Sequence, residues 1–124
     1  MHAISTQRLV AACKARAIER FTFASSASIY DSEASSNEHS RSPVMCDEST
    51  EVAPRGTYWI SKKYADDVIR NAADANFAPV IFRQGTVYGF SPRMRFDLVV
   101  NTFVKDAIVR KRLFIHGGGW MWRP

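Results

Sequence analysis

Cysteine and histidine are scarce in this chain of 124 residues, which contains two cysteines and three histidines. Cys13 and Cys46 lie far apart, and the histidines are scattered along the sequence. A disulfide scaffold needs several paired cysteines, and a zinc site needs closely spaced Cys or His ligands. The sequence therefore predicts neither a disulfide framework nor a metal site, and both cysteines are expected to be thiols.

Long apolar runs are also missing. The runs Leu98–Val100 and Ala78–Phe82 are much shorter than the ~20 residues that a helix needs to cross a membrane. The first residues lack the basic-then-apolar plan of a signal peptide. We therefore expect a soluble cytoplasmic protein without a membrane partner.

The net charge of +5 is unevenly distributed along the chain. Residues 31–56 contain six acidic and two basic residues, and this Ser-rich segment separates two basic ones. The basic residues are spread along predicted helices and form no patch interleaved with aromatics, which nucleic-acid-binding proteins often have. Solvated helix faces explain the charge better than nucleic acid, which is not an expected partner. An anionic diphosphate ligand would complement the same charge.

The periodicity of apolar residues predicts an α/β chain with alternating helices and strands. The predicted elements are a helix over 4–18, a strand over Phe21–Ser25, a long loop over 31–56, a helix from Thr57 or Tyr58 to about Ala75, a strand over Pro79–Arg83, a helix over 97–110 with Asp97 as its N-cap, and a strand over Leu113–His116. The run Gly117–Gly119 is interpreted as a turn. On the helix that begins near Thr57, we expect Asp66 to face outward with the other charged residues.

The strand, helix and strand between residues 21 and 83 form a predicted parallel βαβ unit. In open α/β sheets, ligands and catalytic residues lie at the carboxyl ends of the strands. That rule places Ser25, Ser26, Gly85 and Thr86 at one edge of the sheet, beside the first turns of the connecting helix. Two strands alone make a marginal sheet with an open edge, so homo-oligomerisation is possible.

Tyr58 and Lys62 are four residues apart on this predicted helix, which places the phenol and the ammonium on one face. A neighbouring cation stabilises the phenolate form of a tyrosine. Such a pair suits acid/base chemistry on a hydroxyl or carbonyl carbon. By itself the spacing is weak evidence, since a half-buried tyrosine with a solvated lysine is common on ordinary helices.

Three further segments occur in a fitting order around this pair: Phe21–Tyr30, Phe82–Gly89 and Ile115–Pro124. Together they resemble the extended short-chain dehydrogenase/reductase family, specifically its NAD-dependent nucleotide-sugar epimerases and dehydratases. The resemblance implies a partial Rossmann-like parallel sheet, with residues 1–89 as the C-terminal half of an NAD-binding domain and 90–124 as the beginning of a substrate-binding region. It also implies NAD as cofactor and a nucleotide sugar as substrate.

The resemblance also implies roles for individual residues. Ser26, four positions before Tyr30, would bond the reacting sugar oxygen, Tyr58 would exchange the proton, and Lys62 would bond the nicotinamide ribose. The implied cofactor contacts further include Ala24, Ser25 and Gly85, and the implied substrate contacts include Thr86 and Arg123. Alternatives stay open for three of them: Ser26 as a serine that only starts a loop, Gly85 as a sharp turn, and Arg123 as a frayed terminal residue.

The family's G-x-x-G-x-x-G turn, which holds the cofactor's pyrophosphate, does not occur in these 124 residues. The chain resembles a fragment that lacks the Gly-rich N-terminal half and the C-terminal end. It is therefore expected to be inactive by itself and to bind NAD poorly. The alternative function is a non-catalytic remnant that binds a nucleotide or a partner subunit. Epimerases, dehydratases, decarboxylases and reductases share these motifs, which do not distinguish among them or among nucleotide sugars.

Overall fold

The computed structural model describes residues 2–30 and 45–119 of the chain, which is α/β as predicted. The elements in chain order are α1 (His2–Ala15), β1 (Arg20–Ser26), a 3-10 turn (Ala27–Tyr30), α2 (Thr57–Asn71), β2 (Ala78–Gln84), α3 (Val99–Arg110) and a second 3-10 turn (Gly117–Gly119). The chain divides into two compact units. Among the described residues, the first unit contains α1, β1, α2 and β2, and the second begins at Thr86 and contains α3.

The sheet of the first unit consists of β1 and β2, which pair in parallel over their whole length. The register runs from Arg20 opposite Ala78 to Ser26 opposite Gln84. Helix α2 is the connection between the two strands, so the predicted parallel βαβ unit is confirmed. Because both strands end at the same level, Ser26 and Gly85 lie at the carboxyl edge of the sheet.

Only one face of this sheet is covered in the part of the chain that the structure describes. A core of Val10, Ile69 and Phe77 joins α1 and α2 to the partly buried strand residues Phe21, Phe23 and Ile81. The Phe21 and Phe77 rings pack with their centroids 5.8 Å apart. Burying each such side chain contributes roughly 1.5–3 kcal/mol to the stability of the unit.

The C-terminus of α2 is held by α1. The Lys14 ammonium donates to the carbonyl oxygen of Ala72 at 2.9 Å and to the carboxylate of Asp74 at 2.6 Å. A cation at this end of a helix interacts favourably with the last carbonyls. The Asp74 carboxylate also accepts from the Asn76 amide at 2.8 Å, and the backbones of Asp74 and Phe77 bond each other. This turn ends α2 at Asn71, so the predicted end near Ala75 was wrong.

Two expectations for the second unit were also wrong. Asp97 does not cap α3, which begins after Leu98 without a side-chain cap, because both Asp97 oxygens accept from Arg95, at 3.0 and 2.5 Å. Residues 113–116 form no strand, and among the described residues nothing pairs with them. The predicted turn at Gly117–Gly119 is confirmed, since all three glycines have positive φ angles of 60°, 72° and 74°.

We expect the isolated chain to self-associate through the uncovered face of its sheet. Val80 and Phe82 are 50% and 52% exposed there, although parallel sheets are normally buried on both faces. Sedimentation velocity over a hundredfold concentration range should show association of the unsubstituted chain, and Phe82→Lys should weaken it. Val109→Lys, which adds the same charge on α3, is the control and should leave association unchanged. A chain that sediments as a monomer throughout would refute this prediction.

Candidate active site

The first turn of α2 starts from a backbone that favours glycine. Gly56 has a φ of 93°, and a β-carbon placed there would lie 3.2 Å from Cε3 of Trp59. The Gly56 carbonyl accepts the first helical hydrogen bond, from the Ile60 amide at 3.0 Å. Positive φ is strained for residues with side chains, so Gly56 sets the direction in which α2 leaves the loop and presents Tyr58.

Lys62 lies beside Tyr58, as their spacing predicts. Its ammonium is 5.9 Å from the centroid of the Tyr58 ring and 5.0 Å from that of Phe23. It also donates a hydrogen bond of 2.9 Å to the carbonyl oxygen of Ala24 in β1. The ammonium therefore joins α2 to the carboxyl end of β1, while Tyr58 is 52% exposed.

The two serines at the end of β1 occupy different environments. Ser25 is only 6% exposed, and within the described residues its hydroxyl makes no hydrogen bond. Ser26 is the last residue of the strand, and its hydroxyl oxygen accepts from the Ser28 amide at 3.2 Å. That bond is typical of a serine that starts a turn, and it leaves the hydroxyl hydrogen of Ser26 available for a substrate oxygen.

Asp66 is fully buried, so the prediction that it faces outward was wrong. Arg83 donates from Nε to Oδ2 of Asp66 at 3.1 Å and from Nη1 to the Tyr30 hydroxyl at 2.5 Å. Burial disfavours the charged guanidinium, but the hydrogen bonds with Tyr30 and Asp66 outweigh it and hold the pKa of Arg83 above its usual value. Asp66 follows Lys62 by one helical turn, and both side chains contact the strands from the same face of α2.

Gly85, Thr86 and Arg123 are the remaining predicted contacts. Gly85 directly follows β2, and its φ is not positive, so the backbone there does not itself demand glycine. Thr86 is exposed at the start of the second unit. Arg123 lies outside the described residues. The ligand contacts of these three residues therefore stay predictions.

Asn101 is a buried polar residue of the second unit to which sequence reasoning assigned no role. It is 4% exposed, accepts from the Gly89 amide at 3.0 Å and donates to the Arg95 carbonyl oxygen at 2.9 Å. These two bonds hold both ends of the loop between Gly89 and Arg95 against α3. An asparagine within a helix gives no sequence signal of such a role, because it depends on the path of that loop.

Two kinds of site are absent from residues 2–30 and 45–119. No group of three or more His, Cys, Asp or Glu side chains there could hold a metal ion. None of the helices in these ranges combines the length and apolarity needed to cross a bilayer. Cys13 is half-buried, Cys46 is exposed, and both are thiols.

The chain matches a known protein family over its whole length. The family model of the NAD dependent epimerase/dehydratase family matches residues 1–124. The chain belongs to this family.

Three similar proteins cover most of the chain. It is 31% identical over 114 residues to the uncharacterized UDP-glucose epimerase YtcB of Bacillus subtilis (strain 168), covering 91% of this chain and 33% of YtcB. The structure of TunA, an NAD dependent NDP-hexosamine 5,6-dehydratase of tunicamycin biosynthesis, matches with a TM-score of 0.69 at 24% identity, over 95% of this chain and 36% of TunA. MoeE5, solved with UDP-glucuronic acid and NAD, matches with a TM-score of 0.61 at 26% identity, over 83% of this chain and 32% of MoeE5.

These matches show a Rossmann-like fold, and they also show how much of a relative the chain represents. It spans about a third of the length of each of these proteins. The comparisons therefore establish the family and the fold of the chain.

Proposed function

We propose that this chain provides the acid/base segment of an NAD-dependent nucleotide-sugar epimerase or dehydratase. The observation that carries the proposal is the position of the Lys62 ammonium between Tyr58 and the Ala24 carbonyl oxygen, at the carboxyl edge of the sheet. An exposed phenol with a fixed neighbouring cation is suited to accept and return a proton. The family and the relative named as a UDP-glucose epimerase support a nucleotide sugar as the substrate class.

In this proposal Tyr58 takes the proton from a sugar hydroxyl. The oxygen–hydrogen bond of the sugar breaks, the proton moves to the phenolate oxygen, and the Lys62 ammonium stabilises the phenolate before the transfer. Ser26 donates its hydroxyl hydrogen to the same sugar oxygen and holds it near Tyr58. The reverse transfer from Tyr58 returns the proton when the sugar carbonyl is reduced again.

NAD, when bound, supplies the acceptor for the hydride that leaves the sugar carbon. The residues of this chain fit one part of that cofactor. Lys62 presents an ammonium that can donate to ribose hydroxyls, and the buried Ser25 hydroxyl, which has no hydrogen-bond partner in the described residues, lies next to Ala24 on the same strand. Gly85 is the further candidate contact, while the sequence offers no Gly-rich turn for the pyrophosphate.

The second candidate is a non-catalytic remnant that binds a nucleotide or a partner subunit. Such a function would need no NAD, and these 124 residues contain no G-x-x-G-x-x-G turn to hold the pyrophosphate of that cofactor. Native mass spectrometry of the purified chain separates the two proposals in part. A co-purifying nucleotide other than NAD would support the remnant, whereas the acid/base segment by itself is expected to carry no nucleotide.

A chimaera tests the catalytic assignment. In this chimaera, the 124 residues take the place of the YtcB segment that they match. Conversion of UDP-glucose in the presence of NAD is followed by chromatography. We expect the chimaera to turn over, and Tyr58→Phe to lower its kcat by about 10²–10⁴-fold, which is the usual contribution of a positioned acid/base group.

The matched control is Tyr64→Phe on the same helix. It removes a hydroxyl that accepts from Gln7 at 2.6 Å, away from β1, and should leave kcat unchanged. A Tyr58→Phe chimaera as fast as its parent would remove Tyr58 from the proposed chemistry. A chimaera that folds without any turnover would favour the non-catalytic remnant.

A further inference from the structure

Arg83 connects three elements of the first unit at the edge of the sheet where the proposed acid/base residues lie. It is in β2, its Nε donates to Asp66 of α2, and its Nη1 donates to the hydroxyl of Tyr30 in the turn after β1. The carbon at the centre of its guanidinium is also 5.0 Å from the centroid of the Tyr30 ring. The mechanism proposed above uses neither Arg83 nor Tyr30.

Asp66 keeps the guanidinium in place. The Asp66 side chain has no exposed surface and that of Arg83 is 11% exposed, so the ion pair is shielded from water. Within the described residues, Oδ1 of Asp66 has no hydrogen-bond partner, and Arg83 therefore supplies the hydrogen bond that this carboxylate has. A guanidinium is a rigid planar fork, so fixing Nε on Asp66 also fixes the direction of Nη1.

The turn that Arg83 reaches begins directly after Ser26. Ile29 anchors the turn in the interior with no exposed surface, and Tyr30 ends it. The Ser28 amide in the same turn donates to the Ser26 hydroxyl oxygen. The position of this turn relative to α2 therefore determines where the Ser26 hydroxyl lies.

Helix α2 contacts the end of β1 through two consecutive helical turns. Lys62 bonds the Ala24 carbonyl oxygen, before Ser26 in the chain, and Asp66 reaches Tyr30, after Ser26, through Arg83. Ser26 is thus bracketed by two polar connections to the helix that carries Tyr58. We propose that Arg83 is a positioning residue, which sets the Ser26 hydroxyl relative to Tyr58 by holding Tyr30; its consequence for catalysis rests on the function proposed above.

The test on the chain itself needs neither NAD nor substrate. Tyr30→Phe removes the hydroxyl that Arg83 contacts and keeps the ring, and Arg83→Lys keeps a cation for Asp66 but loses the fork. NMR hydrogen exchange should show the Ser28 amide exchanging at least about tenfold faster in both variants, while amides at the core residues Val10 and Ile69 keep their rates, because the opening is local. Tyr64→Phe, which removes another tyrosine hydroxyl, should leave Ser28 exchange unchanged.

Two results would overturn the proposal. One is a Tyr30→Phe chain in which Ser28 exchanges at the rate of the unsubstituted protein; this variant decides the matter even where Arg83→Lys fails to fold. The other is equal acceleration at Ser28, Val10 and Ile69, which would show that Arg83 only stabilises the fold.

The catalytic consequence is read separately in the YtcB chimaera. Tyr30→Phe should lower kcat about tenfold with KM for UDP-glucose within twofold, since Ser26 would be misplaced for the proton transfer while the substrate still binds. An unchanged kcat together with faster Ser28 exchange would show that the positioning of Ser26 by Arg83 does not affect catalysis. Absence of turnover in the parent chimaera would count against the proposed function alone, because the exchange measurement still tests the positioning.

Discussion

Calorimetric titration of the isolated 124 residues with NAD is expected to show no binding in the micromolar range. The pyrophosphate of a dinucleotide is normally held by backbone amides of a G-x-x-G-x-x-G turn, which this sequence does not contain. Each charge-assisted hydrogen bond lost is worth about 1.5–3 kcal/mol, so losing three of them weakens binding by roughly three orders of magnitude or more. In the proposed site, Lys62, Ala24 and Ser25 contact only the nicotinamide half.

The YtcB chimaera is the matched control for this titration, because the replacement leaves the parts of YtcB outside the matched segment in place. We expect the chimaera to bind NAD more tightly than the isolated chain by at least the same factor. Micromolar binding by the isolated chain would show that residues other than a Gly-rich turn hold the pyrophosphate. Turnover of a nucleotide sugar by the isolated chain would have the same meaning.

The second large effect is expected from Arg83→Met. The substitution leaves the carboxylate of Asp66 fully buried without its cation, and breaking a buried ion pair on one side costs about 3–5 kcal/mol. Domains of this size unfold with a free energy of about 5–15 kcal/mol, so the variant should lose a large part of its stability. Urea unfolding followed by circular dichroism measures the change in the free energy of unfolding.

Two controls separate the buried pair from charge removal in general. Asp66→Leu combined with Arg83→Met removes both charges, and it should recover most of the lost stability because no buried charge stays unpaired. Lys63→Met breaks an ion pair with Asp67 of 2.6 Å between side chains that are 31% and 40% exposed, and it should cost only about 0.3–0.5 kcal/mol. If Arg83→Met costs no more than Lys63→Met, the Asp66–Arg83 pair does not stabilise the unit as we infer.

Most of the first unit could be predicted from local sequence patterns. The strands Arg20–Ser26 and Ala78–Gln84 have the β-branched and aromatic residues that fit a pleated surface, and α1 and α2 have apolar residues at helical spacing. These patterns depend only on residues that are close in sequence, so they can be recognised without knowledge of the fold. The errors occurred where a distant or competing partner decided the outcome.

Three such cases illustrate the reason. Lys14 in α1 and the turn at Asp74 end α2 earlier than its apolar pattern does. Arg95 takes the carboxylate of Asp97 that would otherwise cap α3. A strand at 113–116 would need a neighbouring strand, and in the ranges that the structure describes none pairs with it. Helix ends, caps and strand pairing all depend on which of several available partners is closest in space.

The candidate site divides in the same way. The sequence by itself determined the placement of Tyr58 and Lys62 on one helix face, because an interval of four residues is one helical turn wherever the helix lies. It also indicated the family through short motifs. Only the tertiary structure decided that Lys62 bonds Ala24 and that Asp66 is buried against Arg83 and Tyr30. Those contacts join residues from separate elements, and their geometry is set by the packing of α2 on the sheet, which no local pattern encodes.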